Sequence, residues 1–141
     1  PSPFEAEAKG LVLVVDDVGF SREWFRTAIE HSAWAKREGL RCLCAANASE
    51  ALQLLAKHAN RIGAVLTDLH MPDADGLQLL ERYQRAVGKE PAQPVRFFMT
   101  TSGLTPQQEL QALRMGFQGV LRKPVAPEQL VAALQKGMGP P

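Results

Sequence analysis

The sequence predicts an α/β fold in which a parallel sheet of five strands is covered by helices on both faces. Short aliphatic runs that suit buried strands, such as Leu11 to Val15, alternate with segments whose apolar residues recur at helical spacing. The connections are short, and parallel neighbours require helical crossovers of this kind. With 141 residues, 45% of them hydrophobic, the chain suits one globular domain.

The N-terminal half is expected to hold three strands and two helices. Residues 1–10 show no periodicity and are expected to be a disordered or added segment outside the core. The first helix is expected to begin near Phe20 or Ser21 and to continue through Trp34 towards Glu38, before Gly39. Asn47 and Glu50 form a capping-box signal for the second helix. The three strands are predicted at Leu11 to Val15, Leu40 to Ala45 and Ala64 to Thr67.

The C-terminal half is expected to hold two strands and three helices. The third helix begins at Gly76 and ends by Gly88. Thr105 and Pro106 mark the start of the fourth, and Pro127 starts the fifth. The fourth helix is expected to bury Leu110, Leu113 and Phe117. The strands are predicted at Val95 to Met99 and Gly119 to Arg122. The folded domain should cover residues 11–136, with residues 137–141 as a tail or the start of a linker.

Composition and charge limit the function. The chain carries 16 basic and 15 acidic residues, a net charge of +1, which does not favour direct binding of nucleic acid or of an anionic membrane. A cytoplasmic location is expected because two unpaired cysteines suit a reducing compartment, and no long apolar span or signal-type segment argues against it. Cys42 and Cys44 stand too close for an easy disulfide and are predicted to be free thiols. A Cys-x-Cys metal half-site is the alternative, but no second pair exists.

Five polar side chains follow strands of the predicted sheet, whose flavodoxin-like order 2-1-3-4-5 gathers them at one edge, where such sheets bind ligands. They are Asp16, Asp17, Asp68, Thr100 and Lys123. Three clustered carboxylates repel one another unless a cation stands among them, and ligands that are all oxygen favour Mg²⁺. A lysine and a hydroxyl opposite the metal would suit a phosphoryl group, either bound as phosphate or attached to a carboxylate.

This ordered set of motifs resembles the response-regulator receiver domain, the phosphoacceptor module of two-component signalling, over roughly residues 11–136. The resemblance is carried by the Asp16-Asp17 pair after the first strand and by Asp68 at the end of the third. Met71-Pro72 and Gly76 follow Asp68, Thr100 follows the fourth strand, and Lys123-Pro124 follows the fifth.

The resemblance implies a role for each site residue. Asp17 and Asp68 would bind Mg²⁺ directly, together with the backbone carbonyl of His70, and Asp16 would bind it mainly through water. Asp68 would also be the phosphoacceptor. The other two phosphoryl contacts would come from the Thr100 hydroxyl and the Lys123 ammonium group.

The resemblance also implies partners. The donor would be a phosphohistidine on a sensor histidine kinase or a histidine phosphotransfer domain. Phosphorylation would change the face formed by the fourth helix, the fifth strand and the fifth helix, which would signal to a downstream protein or a tethered output domain. The same face could form a homodimer. Such a domain catalyses its own phosphorylation and dephosphorylation and is not a turnover enzyme.

Three features depart from the family pattern. Val120 stands where the family commonly has Tyr or Phe coupled to the switch threonine, and Thr101 stands where a small residue is common. The region between the first helix and the second strand, which contains Trp34, is longer than usual. Val120 and this region support an alternative, a receiver-shaped interaction module that signals without phosphorylation. An aspartyl phosphatase is a third hypothesis, but Asp16-Asp17 lacks the Asp-x-Asp spacing of those enzymes.

Overall fold

The described structure, a computed structural model, covers residues 10–88 and 95–138. Within these residues, five strands and six helices follow one another along the chain. They are β1 (Leu11–Val15), α1 (Gly19–Glu30), α2 (Ala33–Glu38), β2 (Arg41–Ala45), α3 (Ala48–Lys57), β3 (Ile62–Asp68), α4 (Gly76–Val87), β4 (Arg96–Thr101), α5 (Pro106–Met115), β5 (Phe117–Arg122) and α6 (Pro127–Met138). Most of the predicted N-terminal segment and the last three residues of the predicted tail lie outside the described residues.

The strands form one parallel sheet in the order β2-β1-β3-β4-β5, which confirms the predicted topology. β1 and β3 are buried along their whole length, as expected for central strands with helices on both faces. The register pairs Val15 with Thr67 and Asp68 with Thr100. The carboxyl ends of the three central strands therefore meet at one edge of the sheet.

Two apolar clusters form the core, one on each face of the sheet. The first includes Leu13, Ile62, Leu79, Phe97 and Met99. The second includes Val12, Phe25, Leu66, Phe98 and Leu130. Neighbouring residues of one strand belong to opposite clusters because side chains alternate across a strand. Each fully buried Leu, Val or Phe stabilises the fold by about 1.5–3 kcal/mol relative to an exposed one.

The prediction of five helices is wrong, because the first predicted helix is divided into α1 and α2. Ser32 separates them in an extended conformation with ψ 150°. Its hydroxyl donates to the carbonyl of Ile29 at 2.7 Å and accepts from the backbone N–H of Ala35 at 3.1 Å. A serine that caps a new helix in this way competes with continuation of the old one. The second helix buries Trp34 against the core.

The predicted buried stripe of the fourth helix is also wrong. Leu110 and Leu113 of α5 are 47% and 44% exposed, and Phe117 belongs to β5, where it is buried. The buried residue of α5 is Ala112, flanked by the half-buried Glu109 and Met115 at spacings of three residues. A small side chain at the contact lets the helix approach the sheet closely, and the two leucines then face outward.

Sheet pairing extends three strands beyond their predicted limits. β3 runs from Ile62 to Asp68, β4 continues to Thr101, and β5 begins at Phe117. At the N-terminal end of β2, the backbone N–H of Arg41 donates to the carbonyl of Gly10 at 2.9 Å. Ladder bonds with a neighbouring strand can therefore continue past the apolar run that marks a strand in the sequence. Among the described residues, no helix has the length and apolar character needed to cross a bilayer.

Candidate functional site

Four of the predicted site side chains come together at the carboxyl edge of the sheet. One oxygen each from Asp16, Asp17 and Asp68 lies within 4.8 Å of the others. The ammonium nitrogen of Lys123 lies 3.2 Å from Oδ2 of Asp16 and 3.6 Å from Oδ2 of Asp68. The cluster thus contains three carboxylates and one cation, drawn from the ends of β1, β3 and β5.

Asp16 is fixed from several directions. Its Oδ1 accepts from the backbone N–H of Val18 at 2.9 Å, and its own N–H donates to the carbonyl of Ala45 at 3.1 Å. The guanidinium of Arg22 donates to the carbonyl of Asp16 at 2.8 Å. Asp16 is fully buried, whereas the adjacent Asp17 is exposed. One carboxylate is therefore structurally constrained, and the other is accessible to a ligand.

The backbone around Asp68 is held by its neighbours. The N–H of Leu69 donates to the carbonyl of Thr100 at 3.0 Å, and the N–H of Gly76 donates to the carbonyl of Leu69 at 2.8 Å. A Cβ atom at Gly76 would stand only 2.8 Å from the carbonyl oxygen of Asp68, so this close approach requires glycine. His70 follows in the loop with an exposed side chain.

Thr100 is buried at the end of β4, directly opposite Asp68 in the sheet register. Its neighbour Thr101 is also buried, and the Thr101 hydroxyl accepts from the N–H and donates to the carbonyl of Gly103, both at 3.2 Å. The carbonyl of Thr101 accepts from the backbone N–H of Lys123 at 2.8 Å. These hydrogen bonds link the ends of β3, β4 and β5. The Lys123–Pro124 peptide that follows β5 is cis.

The electrostatic balance at Asp68 is unfavourable for its charged form. Burial raises the pKa of Asp68 above its ordinary value, and the negative charges of Asp16 and Asp17 act in the same direction. The positive charge of Lys123 and the hydrogen bond from Leu69 lower the pKa but do not cancel the rise. With three carboxylates and one ammonium group, the cluster also has more negative charge than Lys123 can balance. An additional cation with a preference for oxygen ligands fits this donor set.

Asp73 has a contact that the sequence did not reveal. The sequence favours a solvated loop charge at this position, and the side chain is indeed exposed. Its two carboxylate oxygens nevertheless accept from the backbone N–H groups of Ala48 and Ser49, each at 3.0 Å. Desolvation raises the pKa of Asp73, but hydrogen bonds from backbone N–H groups, those of Ala48 and Ser49 foremost, hold the pKa below the ordinary value. The partners lie some 25 residues away, so no local sequence signal could indicate them.

Phe20 is the second residue that sequence reasoning missed. The sequence predicts only that it lies at the beginning of an amphipathic helix. In the structure it lies at the start of α1, and its side chain is 83% exposed. With Trp24, Lys123 and Pro124 it lines a cavity of about 270 Å³. An aromatic ring this exposed beside the carboxylate cluster forms an apolar lip to the site.

The cysteines are free thiols, as predicted. Burial, together with the charges of Glu30 and Cys44, raises the pKa of Cys42 to about 12. Neither cysteine belongs to a cluster of three metal-ligand groups in residues 10–88 and 95–138. The Cys-x-Cys half-site therefore gains no third ligand there.

Comparison with known proteins decides the family. The model of the response regulator receiver domain matches residues 12–135, which is most of the chain. The chain belongs to this family. Receiver domains are the signalling modules of two-component systems. As a family, they interact with histidine kinases and output domains, and they bind Mg²⁺ through acidic residues.

Curated relatives of this receiver domain differ in length. It is 33% identical over 124 residues to the sensor histidine kinase AruS of Pseudomonas aeruginosa, covering 87% of this chain but 11% of that protein. It is 31% identical over 125 residues to an uncharacterised 14.6 kDa protein of Leptolyngbya boryana, covering 89% and 87% of the two chains. The two-component response regulator PprB of P. aeruginosa is 29% identical over 128 residues, which cover 89% of this chain and 42% of PprB.

Solved structures agree with the fold of the receiver domain. The chemotaxis protein CheY4 of Vibrio cholerae superimposes with a TM-score of 0.75 at 25% identity, covering 92% of this chain and 99% of that one. A receiver domain protein from Clostridium thermocellum gives a TM-score of 0.76 at 22% identity, covering 92% and 94% of the two chains. The functional roles of the clustered residues stay predictions.

Proposed function

We propose that this receiver domain acts in the cytoplasm and accepts a phosphoryl group on Asp68 from a phosphohistidine of a sensor histidine kinase or a histidine phosphotransfer domain. One observation carries the proposal: the Asp68 carboxylate shares a cluster with two further carboxylates and lies 3.6 Å from the Lys123 ammonium nitrogen. Such a cluster provides a nucleophile together with the positive charge that a phosphoryl group needs.

The oxygen-only donor set supports Mg²⁺ as the cofactor. Asp17, Asp68 and the backbone carbonyl of His70 would hold it directly, and Asp16 would hold it through water. When bound, Mg²⁺ supplies positive charge that offsets repulsion between the carboxylates and the phosphoryl oxygens. Asp16 has a second role, because its Oδ2 contacts the Lys123 ammonium group at 3.2 Å and orients it towards Asp68.

The transfer itself needs little from the protein beyond position and charge. An oxygen of Asp68 attacks phosphorus, and a new O–P bond forms while the P–N bond to the donor histidine breaks. The imidazole nitrogen keeps the electron pair of that bond and then takes up a proton. Lys123 and the hydroxyl of Thr100 stabilise the phosphoryl oxygens. Water later hydrolyses the acyl phosphate, which restores the carboxylate and releases inorganic phosphate.

The donor is expected to dock on the apolar lip that contains Phe20. A helix that carries a phosphohistidine must bring its imidazole close to Asp68, and an exposed aromatic ring beside the site offers contact area for a protein partner. The half-buried Trp24 continues this surface along α1.

The output is expected to leave through the face formed by α5, β5 and α6. A phosphoryl group on Asp68 would attract the hydroxyl of Thr100 and draw the following loop inward. Leu110 and Leu113 give this face an exposed apolar surface that could bind a downstream partner, an output domain or a second copy of the chain. Val120, which lies half-buried in β5, provides no aromatic ring to relay the change.

Phosphorylation by a small acyl phosphate tests the proposal. Incubation with acetyl phosphate and Mg²⁺ should add one phosphoryl group, seen as a single mass increment in intact-protein mass spectrometry. Asp68→Asn should abolish the increment, while Asp75→Asn, which retains a polar cap for α4, should keep it. A phosphoryl group found by peptide mapping on any residue other than Asp68 would refute the assignment.

A second candidate function is an interaction module that signals without phosphorylation. Val120 and the additional helix α2 favour it, since the first removes the aromatic relay and the second adds a surface. Beryllofluoride mimics the phosphoryl group and separates the two candidates. If a partner binds equally to the wild type with or without beryllofluoride and to Asp68→Ala, the second candidate is correct. A change in partner affinity that requires Asp68 supports the first.

A further inference from the structure

The loop that follows the proposed phosphoacceptor is anchored on a distant helix by Asp73. Oδ1 of Asp73 accepts from the N–H of Ala48, and Oδ2 accepts from the N–H of Ser49, each at 3.0 Å. Each oxygen therefore has its own donor. The contact joins the β3–α4 loop (residues 69–75) to the first turn of α3.

The two donors are groups that the helix cannot satisfy by itself. The first N–H groups of an α-helix lack intrahelical carbonyl partners. In α3, the N–H of Glu50 is bonded at 2.8 Å to the side chain of Asn47, the ordinary cap. Asp73 accepts the two N–H groups that precede Glu50, and its charge stands at the positive end of the helix dipole. The first turn of α3 is thus completed by a residue of the β3–α4 loop.

The same loop carries His70, whose carbonyl is a proposed Mg²⁺ ligand. The ends of the loop are fixed by the backbone bonds at Leu69 and Gly76, and His70 lies between these two points. Asp73 lies three residues after His70 and attaches the intervening part of the loop to a rigid element. A metal ligand needs such support, because a carbonyl that must first be ordered binds with lower affinity.

We infer that Asp73 is a positioning residue for the Mg²⁺ site, which holds the β3–α4 loop in the shape that presents the His70 carbonyl. This inference rests on the proposed function, because it needs Mg²⁺ to bind at the Asp68 cluster. It also has a reciprocal consequence: if the contact with α3 favours Mg²⁺ binding, bound Mg²⁺ must favour the contact with α3. The metal would then stabilise a helix turn that donates no ligand to it.

Calorimetric titration of the intact chain with Mg²⁺ tests the inference. Asp73→Ala should weaken Mg²⁺ binding about ten-fold, in the range typical of lost ligand support. Asn47→Ala is the matched control, because it removes a cap from the same turn of α3 without touching the loop, and its Mg²⁺ affinity should stay within about two-fold of the wild type. Asp73→Asn keeps one acceptor oxygen, so its Mg²⁺ affinity should lie between those of Asp73→Ala and the wild type. It replaces Asp73→Ala in the titration if that variant does not fold.

Amide hydrogen exchange gives a second readout. Mg²⁺ should slow exchange at the amides of Ala48 and Ser49 in the wild type but not in the Asp73 variants. Equal Mg²⁺ affinity in Asp73→Ala and Asn47→Ala, with equal protection at these amides, would overturn the inference and leave the proposed function intact. A wild-type chain that neither binds Mg²⁺ nor accepts a phosphoryl group would overturn the proposed function and this inference with it.

Discussion

The β3–α4 loop and the β4–α5 loop (residues 102–105) both follow a strand that carries a site residue at or next to its last position, but different contacts hold them. The β3–α4 loop is closed by a backbone hydrogen bond between Gly76 and Leu69, and Gly76 packs tightly against the Asp68 carbonyl. Asp75 and Gln78 form a reciprocal capping box at its end. Asp73 adds hydrogen bonds to the first turn of α3, so the loop is attached at both ends and in between.

The β4–α5 loop has fewer attachments between its ends. The Thr101 hydroxyl bonds to the backbone of Gly103, and Thr105 and Gln108 form a reciprocal capping box at the end of the loop, like the one that ends the β3–α4 loop. Leu104 packs its partly buried side chain against the core, and the exposed Arg122 adds a contact, with its guanidinium 3.5 Å from the carbonyl of Leu104 and 3.2 Å from the carboxylate of Glu109. An ion pair this exposed contributes little to stability.

The difference suits the two roles proposed for these loops. A loop that supplies a metal ligand gains from being fixed in advance, since ordering it on binding would reduce affinity. A loop that must move when Thr100 meets a phosphoryl group gains from contacts that break at small cost. The comparison therefore predicts that substitutions in the β3–α4 loop affect stability and metal binding, whereas those at the β4–α5 loop affect motion.

The largest effect is expected from Gly76→Ala, at the first residue of α4, where the β3–α4 loop ends. The new Cβ would stand 2.8 Å from the carbonyl oxygen of Asp68, so the backbone of the phosphoacceptor must shift. We expect a loss of about 2 kcal/mol in the free energy of unfolding, in the range of overpacked sites, together with loss of phosphorylation by acetyl phosphate. Glycine to alanine in a helix is normally stabilising, so the sign alone is diagnostic.

Gly103→Ala is the control for this substitution, because nothing lies within 4 Å of the Cβ it would add in the β4–α5 loop. Urea unfolding should show it within about 0.5 kcal/mol of the wild type, as for an ordinary surface change. Equal losses in the two variants would mean that both loops are packed alike, and the comparison would fail.

A smaller and pH-dependent effect is expected from Asp73→Asn. Desolvation raises the pKa of Asp73, but backbone hydrogen bonds, including those from Ala48 and Ser49, hold it below its ordinary value in the folded chain. Its contribution to stability is therefore present above the unfolded pKa and is lost as the pH falls through the lowered folded value. At neutral pH the variant should lose about 1 kcal/mol, as for a missing helix cap, and the difference should shrink in acid.

Unfolding of Asn47→Ala over the same pH range provides the comparison for Asp73→Asn. Asn47 does not titrate, so the loss caused by removing its cap should stay constant with pH. If the deficit of Asp73→Asn is equally constant, the carboxylate charge plays no part in anchoring the β3–α4 loop.

The fold and the cluster could be predicted because the fold follows from where the buried strands lie, and the cluster follows from where they end. An aliphatic run such as β1 shows where a strand lies, and parallel packing then brings Asp16 and Asp68 to one edge whatever separates them in sequence. The break at Ser32 could not be predicted, because serine is compatible with a helix and its capping role depends on where the chain must turn. The exposure of Leu113 follows from the tertiary contact of Ala112, which overrides the helical pattern.

The side chains that hold the site in place could not be predicted from the sequence, for a different reason. Arg22 and Asp73 act through backbone groups of other segments, and a backbone carbonyl or N–H has no sequence signature. Gly76 belongs to a motif that the sequence shows, but its close approach to the Asp68 carbonyl is a property of the folded chain. Local patterns therefore indicate which residues carry the chemistry, and the fold shows which residues hold them in place.

The smallest change in stability is expected from Arg122→Ala, which releases the β4–α5 loop from β5. Because the guanidinium is about half exposed, the free energy of unfolding should fall by about 0.5 kcal/mol or less. Arg85→Ala, which removes an exposed pair with Glu81 on α4, should cost about the same. The two variants should differ in hydrogen exchange, which should become faster at residues 102–105 only in Arg122→Ala. Since the carboxylate cluster is untouched, the rate of phosphorylation by acetyl phosphate should not change in either variant. Exchange in the loop that is equally fast in both would show that Arg122 does not hold it.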